Sequence, residues 1–373
     1  MFVRRMKLKR ILKWTVVVVF LGLVLFMFVA YWTSTNDCAT LASVPQNPMK
    51  AIRYCEYGPP DVLKLVDVEK PVPKDNEVLI KVRAAGLNAL DLGFGGQLLA
   101  RFIFGLRKPK DTRFGTDYSG TIEAIGKNVT DFKVGDEVFG AARGAVAQYV
   151  CRSHDRAIAI KPPNVTFGQA GSVAIAGLTA LQGLRDAGKI QAGQKVLVNG
   201  ASGGIGTFAV QIAKSYGAEV TGVCSTRNVE LVKSIGADHV IDYTKEDFTK
   251  GGERYDMIFD VISNHSFSER KNILTSNGIC VLVGIGASGW HEDLYGRLIG
   301  NFTLPVRSRF TSQKFVRYIT QLTKKDMTAF GQLMESGKVR TVIDRTYKLT
   351  DVPDAARYLD QGHARGKVVI TIE

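Results

Sequence analysis

A glycine-rich loop between a strand and a helix constrains the fold of this 373-residue chain more than any other feature. Apolar residues 196–199 precede the loop, and residues 207–216 follow it with the apolar spacing of a helix. Small residues stand at the first, third and sixth positions of a dinucleotide-binding fingerprint, where the turn is tight and a pyrophosphate approaches the backbone. The loop therefore predicts a Rossmann-type α/β domain whose cofactor-binding residues include Ala201, Ser202, Gly203, Gly204, Ile205 and Gly206.

The end of the next strand distinguishes between the two common dinucleotides. NAD-binding domains carry an acidic residue about twenty positions after the loop, where it binds the ribose 2′-hydroxyl. This chain has Cys224-Ser-Thr-Arg227 there, with no carboxylate. The hydroxyl of Ser225 can donate to a 2′-phosphate and the guanidinium of Arg227 can pair with it, so we predict NADP(H) as the cofactor. The alternative is that Arg227 is only an exposed residue at a helix start, a position that the helix dipole disfavours for a cation.

Strand–helix alternation continues after the loop, whereas the sequence before the loop shows the pattern of short β-strands. Residues 219–223, 257–261 and 279–283 are near-continuous apolar runs, as expected for parallel strands covered on both faces. From residue 49 onward, short β-like runs are separated by Gly and Pro. The length suits two domains. The sequence thus predicts a nucleotide-binding domain flanked on both sides by β-richer sequence.

The N-terminus carries a disproportionate share of the positive charge. The net charge is +14, and six of the cations lie in basic residues 1–13. Residues 14–32 follow with no charge, and a helix of that length would cross the hydrocarbon core, so we predict a membrane anchor there and a tether over residues 33–48. A cleaved signal peptide and a buried globular helix are the alternatives. This distribution indicates a lipid membrane as a partner and gives no case for nucleic acid.

The charge pattern and the cofactor disagree about which side of the membrane the enzyme would face. The cationic N-terminus predicts that the main body lies outside the cytoplasm, whereas a supply of NADPH favours the cytosolic side, which we adopt for a single-pass protein. The five cysteines have no evident pairing and no metal-ligand spacing, which favours a reducing compartment, and Cys38 is interpreted as an ordinary residue.

Several motifs in a fixed order resemble the zinc-independent quinone oxidoreductase branch of the medium-chain dehydrogenase/reductase superfamily. They are Asn88-Ala-Leu-Asp91, Gly115-Thr-Asp-Tyr-Ser-Gly120, Gly135-Asp-Glu-Val-Phe139, Gly177-Leu-Thr-Ala180, the glycine-rich loop, Gly236-Ala-Asp-His-Val-Ile-Asp-Tyr243 and Gly366-Lys-Val-Val-Ile370. The resemblance implies an α/β chain with a GroES-like, β-rich catalytic domain split around an inserted Rossmann domain. On this basis the catalytic domain covers residues 49–172 and 304–373, and the Rossmann domain covers residues 173–303. Homodimerisation is implied by the resemblance as well.

The resemblance also implies roles for individual residues. Asn88 falls on an asparagine near the nicotinamide ribose, and Thr179 falls on a threonine beside the cofactor. Tyr243 matches a tyrosine near the adenosine phosphate, Gly284 would approach the nicotinamide amide, and Lys367 lies in the segment that closes over the cofactor. Without the resemblance, Tyr243 is equally well explained by packing at a strand end, and Thr179 by a hydroxyl that bonds its own helix.

No metal is predicted. Zinc-dependent relatives carry a Cys in the segment that corresponds to residues 85–91 and Gly-His-Glu within residues 115–118, where this chain has Gly86-Leu-Asn88 and Gly115-Thr-Asp117. Without a Lewis acid, hydrogen bonds must polarise the acceptor, which suits quinones and α,β-unsaturated carbonyls better than plain alcohols. A tyrosine that enoyl-reducing relatives place after the Asn-x-x-Asp segment is missing, so Asp91 and Tyr118 are the nearest candidates for proton delivery. Ser263 stands where the family usually has a glycine in a loop facing the cofactor.

The sequence therefore predicts a membrane-anchored, NADPH-dependent oxidoreductase that transfers hydride to a quinone or an α,β-unsaturated carbonyl. The missing tyrosine and Ser263 leave open a non-catalytic NADPH-binding sensor or scaffold at a membrane. A zinc-free alcohol or aldehyde reductase is a third possibility.

Overall fold

The computed structural model describes residues 21–22, 25–26, 28–29, 31–32, 36, 38, 44–95, 101, 105–283 and 311–373. The strands in these residues are β1 (Pro48–Arg53), β2 (Lys64–Glu69), β3 (Glu77–Leu87), β4 (Asp117–Ile125), β5 (Glu137–Ala141), β6 (Tyr149–Ser153), β7 (Ile158–Ile160), β8 (Lys195–Asn199), β9 (Glu219–Cys224), β10 (His239–Asp242), β11 (Tyr255–Asp260), β12 (Leu274–Leu282), β13 (Lys314–Arg317), β14 (Ile343–Lys348) and β15 (Lys367–Thr371). The α-helices are α1 (Phe167–Ala170), α2 (Ala174–Gln182), α3 (Gly204–Ser215), α4 (Val229–Ser234), α5 (Phe267–Asn272), α6 (Lys324–Glu335) and α7 (Val352–Asp360).

A parallel six-stranded sheet forms the Rossmann-like part. Its strand order is β10-β9-β8-β11-β12-β13, and every neighbouring pair is parallel. Val196, Leu197 and Val198 of the central strand β8 are fully buried, because helices cover both faces of such a sheet. The sixth strand, β13, comes from beyond the predicted domain boundary at residue 303, and the boundaries themselves stay predictions.

The other large sheet joins the two ends of the globular sequence. It has seven strands in the order β14-β15-β3-β4-β5-β7, with β6 also paired to β3. The C-terminal strand β15 lies antiparallel to β3, so that Val368 is opposite Leu87. The predicted α/β fold with a split GroES-like part and a Rossmann-like part is therefore confirmed. One hydrophobic core includes Phe139 of β5 and Phe208 of α3, so the two parts share packing.

The structure does not support the predicted membrane anchor. Most of residues 14–32 lie outside the described residues, and among those described no helix is long and apolar enough to cross a membrane. A span needs about 20 residues. The Arg107 guanidinium lies 5.1 Å from the Trp32 ring centroid, and the Asn36 side chain donates to the Cys55 carbonyl at 2.8 Å, so this segment contacts the catalytic part. The predicted single-pass localisation is therefore wrong.

The prediction that the cysteines are unpaired is also wrong. Cys38 and Cys55 form a disulfide with a Cα–Cα distance of 5.8 Å, whereas Cys151, Cys224 and Cys280 are free. Spacing alone does not reveal the partner of a cysteine. The bond fastens the residues that precede β1 to the loop that follows it.

Replacing Cys55 by serine should lower the stability of the chain. Because the bond closes a loop of seventeen residues in the unfolded state, we expect a loss of about 3 kcal/mol in the free energy of unfolding. Urea unfolding measures the change, and Cys151→Ser, at a half-buried free thiol, is the control. A non-reducing peptide map that finds both Cys38 and Cys55 alkylated would contradict the pairing.

Candidate active site

The glycine-rich loop has the geometry of a phosphate cradle. It leaves β8 through Gly200, whose φ of +88° favours glycine, and ends in α3, whose N-terminus has no side-chain cap. A Cβ added at Gly206 would lie 2.0 Å from the Gly200 carbonyl oxygen, so only glycine fits where the helix meets the turn. Because no side chain caps the first N–H groups of α3, the loop fits the pyrophosphate of a dinucleotide.

The residues predicted to hold the 2′-phosphate surround the end of β9. The Asn228 side chain donates to the hydroxyls of Ser202 and Ser225, at 3.0 and 3.2 Å, and so ties the phosphate loop to this strand end. Arg227 is exposed and donates to the His363 carbonyl at 2.9 Å. Tyr243 is 59% exposed, and its backbone N–H donates to the Cys224 carbonyl at 3.0 Å, which places it at the same strand end.

The nearest carboxylate is not available to a ribose. Asp242 accepts hydrogen bonds from the side chains of Thr226, at 2.5 Å, and Thr244, at 2.7 Å. The bond from Thr226, followed by those from Thr244 and Lys245, lowers the pKa of Asp242. The described residues thus offer a cation and hydroxyls, but no free acid, where the adenosine ribose would lie.

Lys367 connects the phosphate loop to the predicted catalytic residues. Its ammonium donates to the Leu87 carbonyl at 3.0 Å and to Oδ1 of Asn88 at 2.5 Å, and it lies 3.8 Å from Oδ2 of Asp117. Its stem passes the loop so closely that a Cβ on Gly204 would meet Lys367 Cδ at 3.3 Å. Predicted as a residue near the cofactor, Lys367 thus contacts both Gly204 and Asn88.

Burial of this cluster shifts its proton equilibria. Burial raises the pKa of Asp117 to about 6, opposed by the Lys367 charge, and lowers the pKa of Lys367, opposed by Asp117 and Asp91. The pKa of Asp91 is also raised by burial. The amide nitrogen of Asn88 is buried with no hydrogen-bond partner within the described residues, although the Asn88 side chain lies near enough to Asp91 and Asp117 to lower the pKa of both.

Asp91 lies with Asn88, whereas Tyr118 lies elsewhere. The carboxylate of Asp91 accepts from the Asn88 backbone N–H at 2.8 Å and from the Thr116 hydroxyl at 3.1 Å. Tyr118 is fully buried in the core of the seven-stranded sheet, because neighbouring residues of β4 point to opposite faces. Burial raises the pKa of Tyr118, and its hydroxyl has no hydrogen-bond partner in the described part of the chain, so its role in proton delivery stays a prediction.

Thr179 lies on α2, and its hydroxyl is 2.8 Å from the hydroxyl of Thr320. The Tyr318 hydroxyl donates to the Thr179 carbonyl. Gly284, the remaining predicted cofactor residue, lies outside the described residues.

A cavity of 270 Å³ opens beside Asp91. It is lined by Tyr54, Leu90, Asp91, Gly93, Arg113, Phe114, Gly115, Thr116, Ala141, Ala142, Arg143, Arg152, Ile175 and Leu322. Sequence reasoning missed Tyr54 and the three arginines, because they lie on separate loops and strands and form no local motif. The sequence alone therefore gives little indication of the residues that line this cavity.

The residues at the zinc-ligand positions do not fit a zinc ion. Asn88 offers an amide oxygen that the Lys367 ammonium already occupies, and Thr116 and Asp117 stand in place of His and Glu. A buried ammonium ion close to this position repels a metal cation. Within the described residues no group of three His, Cys, Asp or Glu side chains is arranged to bind a metal.

Ser263 adopts a left-handed conformation, with φ of +58°, and its Oγ is buried without a partner. We expect Ser263→Gly to stabilise the chain by about 1 kcal/mol, because glycine relieves both costs. Lys189→Gly is the matched control: it has φ of +53° but an exposed side chain, so its gain should be smaller. Urea unfolding that finds Ser263→Gly less stable would contradict the strain.

Comparison with known proteins gives the class of this site. Residues 74–226 match the family described as alcohol dehydrogenase GroES-like domain, and residues 235–370 match the family described as zinc-binding dehydrogenase. The tomato (Solanum lycopersicum) 2-methylene-furan-3-one reductase is 34% identical over 349 residues, which cover 90% of this chain and 81% of the relative. The chloroplastic NADPH-dependent alkenal/one oxidoreductase of Arabidopsis thaliana is 33% identical, with 88% and 81% covered.

A solved structure agrees with these relatives. The quinone oxidoreductase from Coxiella burnetii has a TM-score of 0.75 and 31% identity, and the match covers 88% of this chain and all of that one. The fold and site define a two-part dehydrogenase/reductase. The chain belongs to the medium-chain dehydrogenase/reductase superfamily, among relatives similar to quinone oxidoreductases, and the predicted family is confirmed.

Proposed function

We propose that this chain transfers hydride from NADPH to a quinone or an α,β-unsaturated carbonyl without a metal ion. That it is an NADP-dependent oxidoreductase follows from its relatives, one of which is named for NADPH. The proposed class of acceptor is supported chiefly by one observation. Lys367 contacts Gly204 of the phosphate loop and Asn88 beside the cavity, so a dinucleotide on the loop would present its nicotinamide end to that cavity.

The cofactor supplies the hydride, and the residues of this chain supply position and hydrogen bonds. Lys367 fixes the amide orientation of Asn88 by binding its Oδ1, which leaves Nδ2 as the donor for a carbonyl oxygen that gains negative charge. Asp91 holds the backbone of Asn88, and because burial favours its protonated form, it is the better placed of the two predicted proton donors. A plain alcohol substrate would lack any group that lowers its pKa.

The test is turnover by the purified full chain. We expect NADPH oxidation with 1,4-naphthoquinone and with 3-penten-2-one, and no NADP⁺ reduction with simple alcohols. NADPH binding without turnover of any acceptor would support a non-catalytic protein instead, and reversible alcohol oxidation would support an alcohol dehydrogenase. The homodimer implied by the resemblance stays a prediction, which light scattering on the same preparation checks.

Removing the Arg227 side chain should weaken selectivity for NADPH over NADH. A lost charge-assisted bond to the 2′-phosphate costs about 1.5–3 kcal/mol, so Arg227→Ala should raise KM for NADPH by roughly 10–100-fold and change KM for NADH little. Arg254→Ala is the matched control, because Arg254 is another exposed arginine that donates to backbone carbonyls, at 2.9 and 3.2 Å. Equal changes for both cofactors would contradict the assignment.

A further inference from the structure

The cavity beside Asp91 has a cationic wall that hydride transfer to a neutral acceptor does not require. Arg113, Arg143 and Arg152 line it, and Asp91 is the one acidic residue among its described lining residues. Positive charge in a partly enclosed cavity attracts anions more strongly than the same charge on an open surface.

Two of the arginines share a single carboxylate. Arg113 forms a two-point pair with Asp111, with its Nε 2.9 Å from Oδ1 and its Nη2 2.8 Å from Oδ2. The Nε of Arg143 lies 3.3 Å from Oδ2 of the same aspartate. The carboxylate of Asp111 is therefore shared between these two guanidinium groups.

Arg152 is the more informative of the cationic residues. It projects from β6, and its Nε is buried with no hydrogen-bond partner in the described part of the chain. Burial lowers the pKa of its guanidinium, and the nearby Tyr118 and Asp155 oppose that shift. Since buried donors are normally satisfied, Nε and its neighbouring nitrogens are expected to bind a ligand that enters the cavity.

We propose that the acceptor carries an anionic group, a carboxylate or a sulfonate, which Arg152 binds with help from Arg143 while the reducible bond lies toward Asn88 and Asp91. This inference rests on the proposed function. A guanidinium matches the two oxygens of such a group, and a desolvated guanidinium gains most from it. The cavity volume of 270 Å³ limits the acceptor to a small molecule, such as a one- or two-ring quinone or a short oxo-alkenoate.

The experiment compares 1,4-naphthoquinone-2-sulfonate with 1,4-naphthoquinone in the full chain and in variants. The measured quantity is the preference, defined as kcat/KM for the sulfonate divided by kcat/KM for the parent quinone. We expect Arg152→Met to lower this preference by roughly 10–100-fold, as for a lost charge-assisted bond, and Arg152→Lys to lower it less. The intrinsic reactivity of each quinone is the same in every variant. The difference in reduction potential between the two quinones therefore cancels when the preference is compared between variants.

Two further variants keep the test decisive. Arg254→Met removes an exposed cation of the Rossmann-like part, which donates to the Asn272 carbonyl, and should leave the preference unchanged. Arg143→Met, at a side chain that is 54% exposed, lowers the preference even where Arg152→Met proves too unstable to assay. Raising the salt concentration from 20 to 200 mM should also lower the preference of the unmodified chain.

The possible outcomes test the anionic subsite and the proposed function separately. A preference that is the same in the unmodified chain, Arg152→Met and Arg143→Met overturns the anionic subsite and leaves the proposed function in place. Failure of the unmodified chain to reduce either quinone overturns the proposed function, and the subsite with it.

Discussion

Replacing Gly206 by alanine should abolish NADPH binding and strongly destabilise the Rossmann-like part. The added methyl group would lie 2.0 Å from the Gly200 carbonyl oxygen and 2.8 Å from Cα of Ala201, both of which are backbone atoms. Backbone cannot rotate away as a side chain does, so α3 must move off the end of β8. We expect the free energy of unfolding to fall by about 3 kcal/mol, typical of an overpacked core position.

Two glycines provide controls for this prediction. An added Cβ at Gly203 meets only the Gly200 oxygen, at 3.5 Å, so Gly203→Ala should fold normally but obstruct the approach of the pyrophosphate. Gly251 has open space around it, and Gly251→Ala should change neither property. Urea unfolding and NADPH fluorescence titration measure the two effects separately. Normal stability and normal NADPH affinity in Gly206→Ala would show that the loop does not pack as described.

The nucleotide-binding half of the fold could be predicted from local sequence. Strand, loop and helix are adjacent between Lys195 and Ser215, and the glycine positions follow from contacts within that unit. The helical stretch that follows residue 164 is less regular than one continuous helix. Thr166 does cap a helix, but α1 ends at Ala170 and α2 begins at Ala174. At the break, a Cβ on Gly171 would lie 2.7 Å from the Ala84 carbonyl, so close packing against β3 occupies the place of a continuous helix.

Contacts between distant parts of the chain could not be predicted in this way. The bond from Lys367 to Asn88 joins residues 279 positions apart, and only the pairing of β15 with β3 brings them together. Arg113, Arg143 and Arg152 likewise come from separate parts of the chain and meet only at the cavity. The predicted anchor depended on charge and hydropathy alone, which do not register that Trp32 and Cys38 contact the folded part.

Replacing Lys367 by methionine should reduce both activity and stability, because its ammonium holds three oxygen atoms in a buried site. Those oxygens belong to Leu87, Asn88 and Asp117, at 3.0, 2.5 and 3.8 Å. Removing one partner of a buried ionic pair costs about 3–5 kcal/mol, since the other charge stays buried. The Asn88 amide would also lose its fixed orientation, and we expect kcat to fall by about 100-fold, as for the loss of one oriented donor.

The pH dependence separates a role in the site from a role in folding alone. Burial raises the pKa of Asp117 to about 6, and the Lys367 charge opposes that rise. In the unmodified chain the carboxyl group loses its proton as the pH rises through about 6, so kcat/KM should have an acid limb there. In Lys367→Met the opposing charge is gone, the pKa of Asp117 rises further, and the limb should move to higher pH.

Lys161 is the matched control for this variant. It is also buried, at 7% exposure, and its ammonium donates to the carbonyls of Pro162 and Val165 and pairs with Glu137 at 2.9 Å. Lys161→Met should therefore lower stability in a similar way but leave the acid limb of kcat/KM near pH 6. Folded protein is verified for each variant by circular dichroism before the pH profile is measured. If both variants keep the limb at the same pH, Lys367 acts on the fold alone, and the orientation of Asn88 does not depend on its charge.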